Sequence, residues 1–221
     1  MLINELELHT TDLSAQKAFY TNILGLRATA ETDKSFTVQV GTSRLTFVTT
    51  HLVNAAPRYH FAFNIPCNKA QNALEWLKSR VTILPTNADG DEVAELTDWA
   101  AEAVYFNDPS GNVVACIARS EYHPATSAFG SDSLLCISEV GFVSKTDAKT
   151  MAAPLREKYD ITSYQRGSNN ADFWALGADN GLFVVVANGR NWFPTETAAE
   201  PFPMKIGITN RKNIVCEVEI F

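Results

Sequence analysis

Ile137-Ser138-Glu139-Val140-Gly141-Phe142-Val143-Ser144 repeats, in order and in polarity, Ile3-Asn4-Glu5-Leu6-Glu7-Leu8-His9-Thr10. The first copy alternates apolar and polar residues, the pattern of a half-buried strand whose successive side chains leave on opposite faces. The segments downstream of the two copies match as well. After the first, Asp12 to Ser14 offer capping side chains, and Phe19, Tyr20, Ile23 and Leu24 fall at helical spacing. Gly25 stands where that helix should stop. After the second copy, Ala148, Met151, Ala152, Leu155 and Tyr159 carry a helical pattern, in which Pro154 should kink the helix or confine it to one side. Strand-like runs then close each unit, at residues 36–40 and 44–49 in one and at 172–176 and 182–187 in the other.

Two further starts complete the period. Residues 59–65 read as a strand, 68–78 as a helix, 81–84 and 103–107 as extended, and 113–118 as a closing strand. Between the last two, Asp108-Pro109-Ser110-Gly111-Asn112 is a turn, since Pro presets the backbone angle and Gly tolerates a positive one. Residues 88–102 read as an acid-rich loop. Pro201-Phe202-Pro203-Met204-Lys205-Ile206 then resembles Pro57-Arg58-Tyr59-His60-Phe61-Ala62, so a fourth unit begins, truncated to a final run at 214–221. The period is roughly sixty residues. The expected architecture is α+β, with tandem βαβββ units. Two units fill residues 1–120, a linker rich in Pro, Gly, Ser and Thr spans 121–133, and the third and truncated fourth units fill 134–221.

Composition narrows the function. Among 221 residues, 46% are hydrophobic and 19% charged, as in a globular protein with a packed core. The 18 Lys and Arg against 25 Asp and Glu give a net charge of −7 with no basic stripe, so neither nucleic acid nor an anionic membrane is an expected partner. No apolar run approaches the ~20 residues that span a bilayer, and the first residues show no signal-peptide pattern. Cys67, Cys116, Cys136 and Cys216 are scattered without zinc or redox spacing, which suits a reducing compartment; the cytoplasm is expected.

Asp12-Leu13, Phe19-Tyr20, Leu24-Gly25-Leu26 and Asp108-Pro109-Ser110-Gly111-Asn112, in this order inside a repeated unit, resemble the vicinal-oxygen-chelate superfamily. That group includes glyoxalase I, bleomycin and fosfomycin resistance proteins and extradiol ring-cleaving dioxygenases. The resemblance implies curved mixed sheets that form a cup for a small molecule. It also implies, in the enzymes, one divalent metal (Mn, Fe, Ni or Zn) held by three or four His and Glu side chains. The cup is built within one chain in some members and between the chains of a homodimer in others. Carried onto this sequence, the first-strand ligand positions fall on Glu5 and His60, and the closing-strand acidic position falls on Ala115, which cannot ligate. An alternative acidic position falls on Thr46, and Cys116 beside the gap should point to the opposite face. In the second half, Glu139 takes the Glu5 position and Met204 the His60 position.

Alternation alone places Leu6 and Leu8 on the helix side, with Glu5, Glu7 and His9 opposite; it likewise places Phe61, Phe63 and Ile65 opposite His60, Ala62 and Asn64. Glu7 and Asn64 read as wet-face residues; His9 reads equally well as a ligand-cup residue. Glu5 and His60 are expected to converge within residues 1–120, as metal ligands or as an acid–base pair suited to abstracting a proton beside a carbonyl. Tyr105 is a candidate rim residue. Arg190 and Trp192 could clamp a carboxylate or stack on a flat ring; equally, Trp192 and Phe193 could cover the core while Arg190 ties down a loop. These residues leave two functions open. One is a divalent-metal-dependent lyase, isomerase or dioxygenase with a degenerate ligand set. The other is a metal-free small-molecule binder, of the antibiotic-sequestering kind; beside both stands a blander possibility, an interaction module whose second half is only a scaffold.

Overall fold

A computed structural model describes residues 1–52, 55–167 and 169–220. The first unit comprises β1 (Leu2–Thr10), α1 (Leu13–Ala18), β2 (Ala28–Thr32), β3 (Ser35–Val40) and β4 (Ser43–Thr49). The Asp12 carboxylate caps α1 by accepting the Ala15 N–H at 2.9 Å. The helix then widens into a π-helical turn, Phe19–Ile23, and ends before Gly25, whose φ of +68° favours glycine.

The second unit contains β5 (His60–Ile65), α2 (Ala70–Lys78), β6 (Ile83–Leu84), β7 (Ala94–Leu96), β8 (Ala101–Asn107) and β9 (Val113–Arg119). The acid-rich stretch expected to be loop therefore holds β7, which pairs with β8 because Ala94 is drawn into an apolar cluster with Ala103. The third unit contains β10 (Cys136–Ser144), α3 (Ala148–Tyr159), β11 (Phe173–Ala178) and β12 (Gly181–Ala187). Pro154 sits inside α3, which nonetheless runs on to Tyr159. Pro154 and Thr150, whose carbonyl loses its donor, are both exposed, so water can take the donor's place. Residues after the third unit form β13 (Met204–Thr209) and β14 (Val215–Ile220), where the fourth unit is expected; Phe221, the last residue of the expected final run, lies outside the described residues.

These strands form one hydrogen-bonded sheet of 14. Its pairing is nested. β1 runs parallel to β4 on one side and antiparallel to β13 on the other. β5 runs parallel to β9 and antiparallel to β10, and β10 in turn runs parallel to β12. The first unit thus joins the fourth and the second joins the third, and β1 meets β10 antiparallel at Ile3 and Ile137 to link the two halves. The cup expected within residues 1–120 is not built there. The reason is visible in burial: every position of β5 and β10 is buried, so these two strands need cover on both faces, whereas β1 keeps Glu5 exposed.

On the helix side, Tyr20, Phe36 and Phe47 stack with centroids 5.0 and 5.4 Å apart, and Phe61, Phe63, Phe106, Phe142 and Phe183 are fully buried. Each such ring contributes about 2–3 kcal/mol on leaving water. The Asp108 turn clamps the first two units together. Its carboxylate accepts from Gln16 Nε2 at 2.8 Å and the Tyr20 hydroxyl at 2.9 Å on the first unit's helix. It also accepts from Asn112 Nδ2 at 2.8 Å and from the Ser110 and Asn112 N–H groups within its own turn.

Candidate ligand-binding cup

On the sheet face away from α2, the second and third units enclose a cavity of about 160 Å³. Its walls are aromatic: Trp99, Tyr105, Phe173, Trp192 and Phe193. Its floor is ionic. His60 on β5 and Glu139 on β10 are each 7% exposed, and His60 Nε2 lies 3.6 Å from Glu139 Oε2. His60 Nδ1 is 2.9 Å from the Val113 carbonyl, which can only accept, so Nδ1 carries the proton and Nε2 is the atom presented to Glu139.

Behind Glu139 lies Arg119, the last residue of β9, with no exposed surface. Its Nη2 donates to Glu139 Oε1, its Nε donates to Asn64 Oδ1 at 3.2 Å, and its Nη1 lies 4.0 Å from Asp179 Oδ1. Asn64 Nδ2 donates to the Asp179 carbonyl at 2.7 Å, and the Tyr164 hydroxyl donates to the Asp179 carboxylate. Burial alone would raise the Glu139 carboxyl; Arg119, joined by His60 when its ring is doubly protonated, outweighs it and holds the group below its ordinary value, so Glu139 is ionised. Burial pushes the Tyr105 hydroxyl up, and the Glu139 charge adds to the effect. Removing an Arg and a Glu from water is costly even when they pair, which makes this array a stronger indication of a working site than of stability.

A segment after β12 roofs the cup. Trp192 N–H donates to the Thr197 carbonyl at 2.9 Å, and Ala199 N–H to that of Arg190 at 2.8 Å, so residues 190–199 fold back on themselves. The Trp192 indole lies over His60 with centroids 5.3 Å apart. Gly141 on β10 makes room for it, since a Cβ there would meet the indole at 2.5 Å. Phe193 packs edge-on to Tyr105 at 5.3 Å, and the Arg190 guanidinium sits 5.2 Å over the Phe173 ring at the rim.

Of the residues singled out from sequence, His60, Tyr105, Arg190 and Trp192 meet in this cup. Glu5, His9 and Thr46 do not. Glu5 is half exposed and ion-paired with Arg44, so the carboxylate facing His60 is that of Glu139. Thr46 Oγ1 bonds Thr37 Oγ1 at 2.8 Å, and the His9 N–H donates to the Tyr59 hydroxyl at 3.3 Å; both residues belong to the part of the sheet around β1 and β4. Asn64, expected on a wet face, is fully buried because the third unit covers it through Asp179. Arg119 carries no motif that would single it out. Its signal is a lone cation ending an otherwise apolar strand.

A divalent metal does not fit this floor. Among the described residues no three His, Cys, Asp or Glu side chains converge as such an ion requires. Ala115, at the acidic position, pairs with Ala62 in the cup's apolar cluster. The Arg119 guanidinium already supplies the cation that Glu139 faces.

Tandem βαβββ units whose sheet faces close on a cup define the vicinal-oxygen-chelate class. A family model described as the Glyoxalase/Bleomycin resistance protein/Dioxygenase superfamily matches residues 2–116, and the chain belongs to that superfamily. A putative dioxygenase from Bacillus subtilis superposes with a TM-score of 0.61 at 14% identity, covering 99% of this chain and 84% of that one; the likeness is one of fold. A lactoylglutathione lyase from Agrobacterium tumefaciens superposes at 0.43 with 19% identity, over 52% of this chain and 91% of that one. A fosfomycin resistance protein from Listeria monocytogenes, solved with Mn(II), superposes at 0.42 with 17% identity, over 55% and 91%. No curated protein matches the chain.

Proposed function

We propose that the chain binds a small organic molecule in the cup between its second and third units, and that His60 with Glu139 moves a proton at the cup floor without a resident metal. The observation that carries this reading is the buried array His60–Glu139–Arg119 beneath an aromatic-walled cavity. Nδ1 is tied to the Val113 carbonyl, so an acidic proton on the bound molecule is taken at Nε2. Glu139 then stabilises the imidazolium, and Arg119 keeps Glu139 from taking the proton itself. Trp192 and Phe193 exclude water from the floor, which strengthens each of these interactions. One chain supplies all the walls, so a second copy is not needed to complete the cup.

The compartment we infer is the cytoplasm. Cys67, Cys116, Cys136 and Cys216 are unbridged, and burial pushes the Cys116 thiol up to about 12, where it is inert.

Elemental analysis of the purified protein and of His60→Ala, before and after incubation with manganese, iron, nickel and zinc, tests the metal-free reading. Less than a tenth of an equivalent bound in either protein is the expected result, at roughly micromolar metal. Near-stoichiometric metal that disappears in His60→Ala would overturn it and return the site to the metalloenzyme class.

A further inference from the structure

The cup's polar groups are unevenly satisfied, and the imbalance describes a ligand. The Trp192 residue is 3% exposed, yet its indole N–H finds no acceptor among the described residues. A buried donor without a partner costs about 1–3 kcal/mol, which an acceptor brought by a ligand recovers. At the rim, the Arg190 guanidinium makes no ion pair among the described residues; its hydrogen bond is a 3.3 Å contact to the Asn191 carbonyl. Positioned over Phe173, that guanidinium is free to take a carboxylate.

The floor sets the opposite condition. With its proton on Nδ1, His60 presents Nε2 as an acceptor, and Glu139 Oε2 beside it only accepts, so the end of a ligand that reaches them must carry a proton. Size and shape complete the description. A cavity of about 160 Å³ walled by Trp99, Tyr105, Phe173 and Trp192 holds one flat ring, much as an apolar cavity of about 150 Å³ holds benzene.

We propose that the cup takes a single-ring aromatic carboxylate, its ring beside Trp192 and its carboxylate outward on Arg190, with a hydroxyl or other proton-bearing group directed at His60. This inference rests on the cup being the binding site. It adds the ligand class and makes Arg190 the residue that selects the charge.

The test is a calorimetric and NMR titration of the full chain and of Arg190→Gln with 4-hydroxybenzoate, benzoate and methyl 4-hydroxybenzoate. Arg190 is exposed, so its replacement leaves the core intact. In the unaltered protein the two acids should bind about tenfold or more tighter than the ester, and 4-hydroxybenzoate tighter than benzoate. In Arg190→Gln the acids should fall to the ester's affinity while the ester stays within about twofold of its original value. The Trp192 indole N–H resonance should move on binding. Equal binding of acid and ester, or an acid affinity indifferent to Arg190→Gln, would overturn the ligand class and leave the cup as a site for neutral rings. No binding by any of the three probes, with the indole resonance unmoved, would overturn both the ligand class and the cup.

Discussion

Glu139 is an ionised carboxylate with almost no solvent, and its stability contribution depends on pH in a defined direction. Its folded form titrates below the ordinary value of 4.5, so the stabilisation is complete above that value and is lost as pH falls through the folded value. Glu139→Gln should therefore cost about 3–5 kcal/mol at pH 7, by stranding the buried Arg119. It should cost markedly less near pH 3.5, and urea midpoints at the two values measure the difference. A pH-independent deficit would mean that the carboxylate is not held as described. At this scale much of the site is legible in the sequence and its partnership is not. Alternation puts His60 on the cup face, and the internal repeat puts Glu139 at the position matching Glu5. Yet alternation states which face a residue occupies, not which strand lies beside it. It therefore pairs Glu5 with a His60 that β10 claims, and reads Asn64 as wet although Asp179 covers it.

The turn between β8 and β9 shows how a short motif fixes the placement of whole elements. Asp108 sits in the second unit, but two of its hydrogen-bond donors, Gln16 and Tyr20, come from the first unit's helix. That explains why Phe19-Tyr20 and Asp108-Pro109-Ser110-Gly111-Asn112 mark the family together although they are far apart in sequence. Asp108→Ala strands several buried donors and should cost about 3 kcal/mol or more in chemical denaturation, against about 1 kcal/mol for Tyr20→Phe. Comparable losses from the two would show that the clamp does not act through the carboxylate. Strands and helices themselves are readable, because period and capping are local; β7 escapes because three residues amid acids carry too little pattern. The roof over the cup is readable only as two alternatives, since a Trp-Phe pair serves core and ligand alike. The structure combines them: Trp192 is buried against His60, while Phe193 remains at the surface.

For the whole molecule the decisive feature is which unit joins which. Repeats reveal that four units exist; the order in which they meet depends on long-range pairing that no single unit encodes. A fragment of residues 1–120 would leave β5 without β10 and β1 without β13, two paired strands turned into open edges. Expressed alone, that fragment should aggregate or give a poorly dispersed NMR spectrum. A monomeric, well-dispersed fragment would show that the first two units suffice as a body of their own.

Nesting also has a consequence during synthesis. β1 is made well before the strand that covers its second side, β13, which begins only at Met204. Until then the nascent chain carries an unclosed sheet edge, and loop-closure entropy opposes its final pairing. β13 acts as the latch of the fold, so a chain that stalls shortly before Met204 leaves β1 still searching for a neighbour on that side.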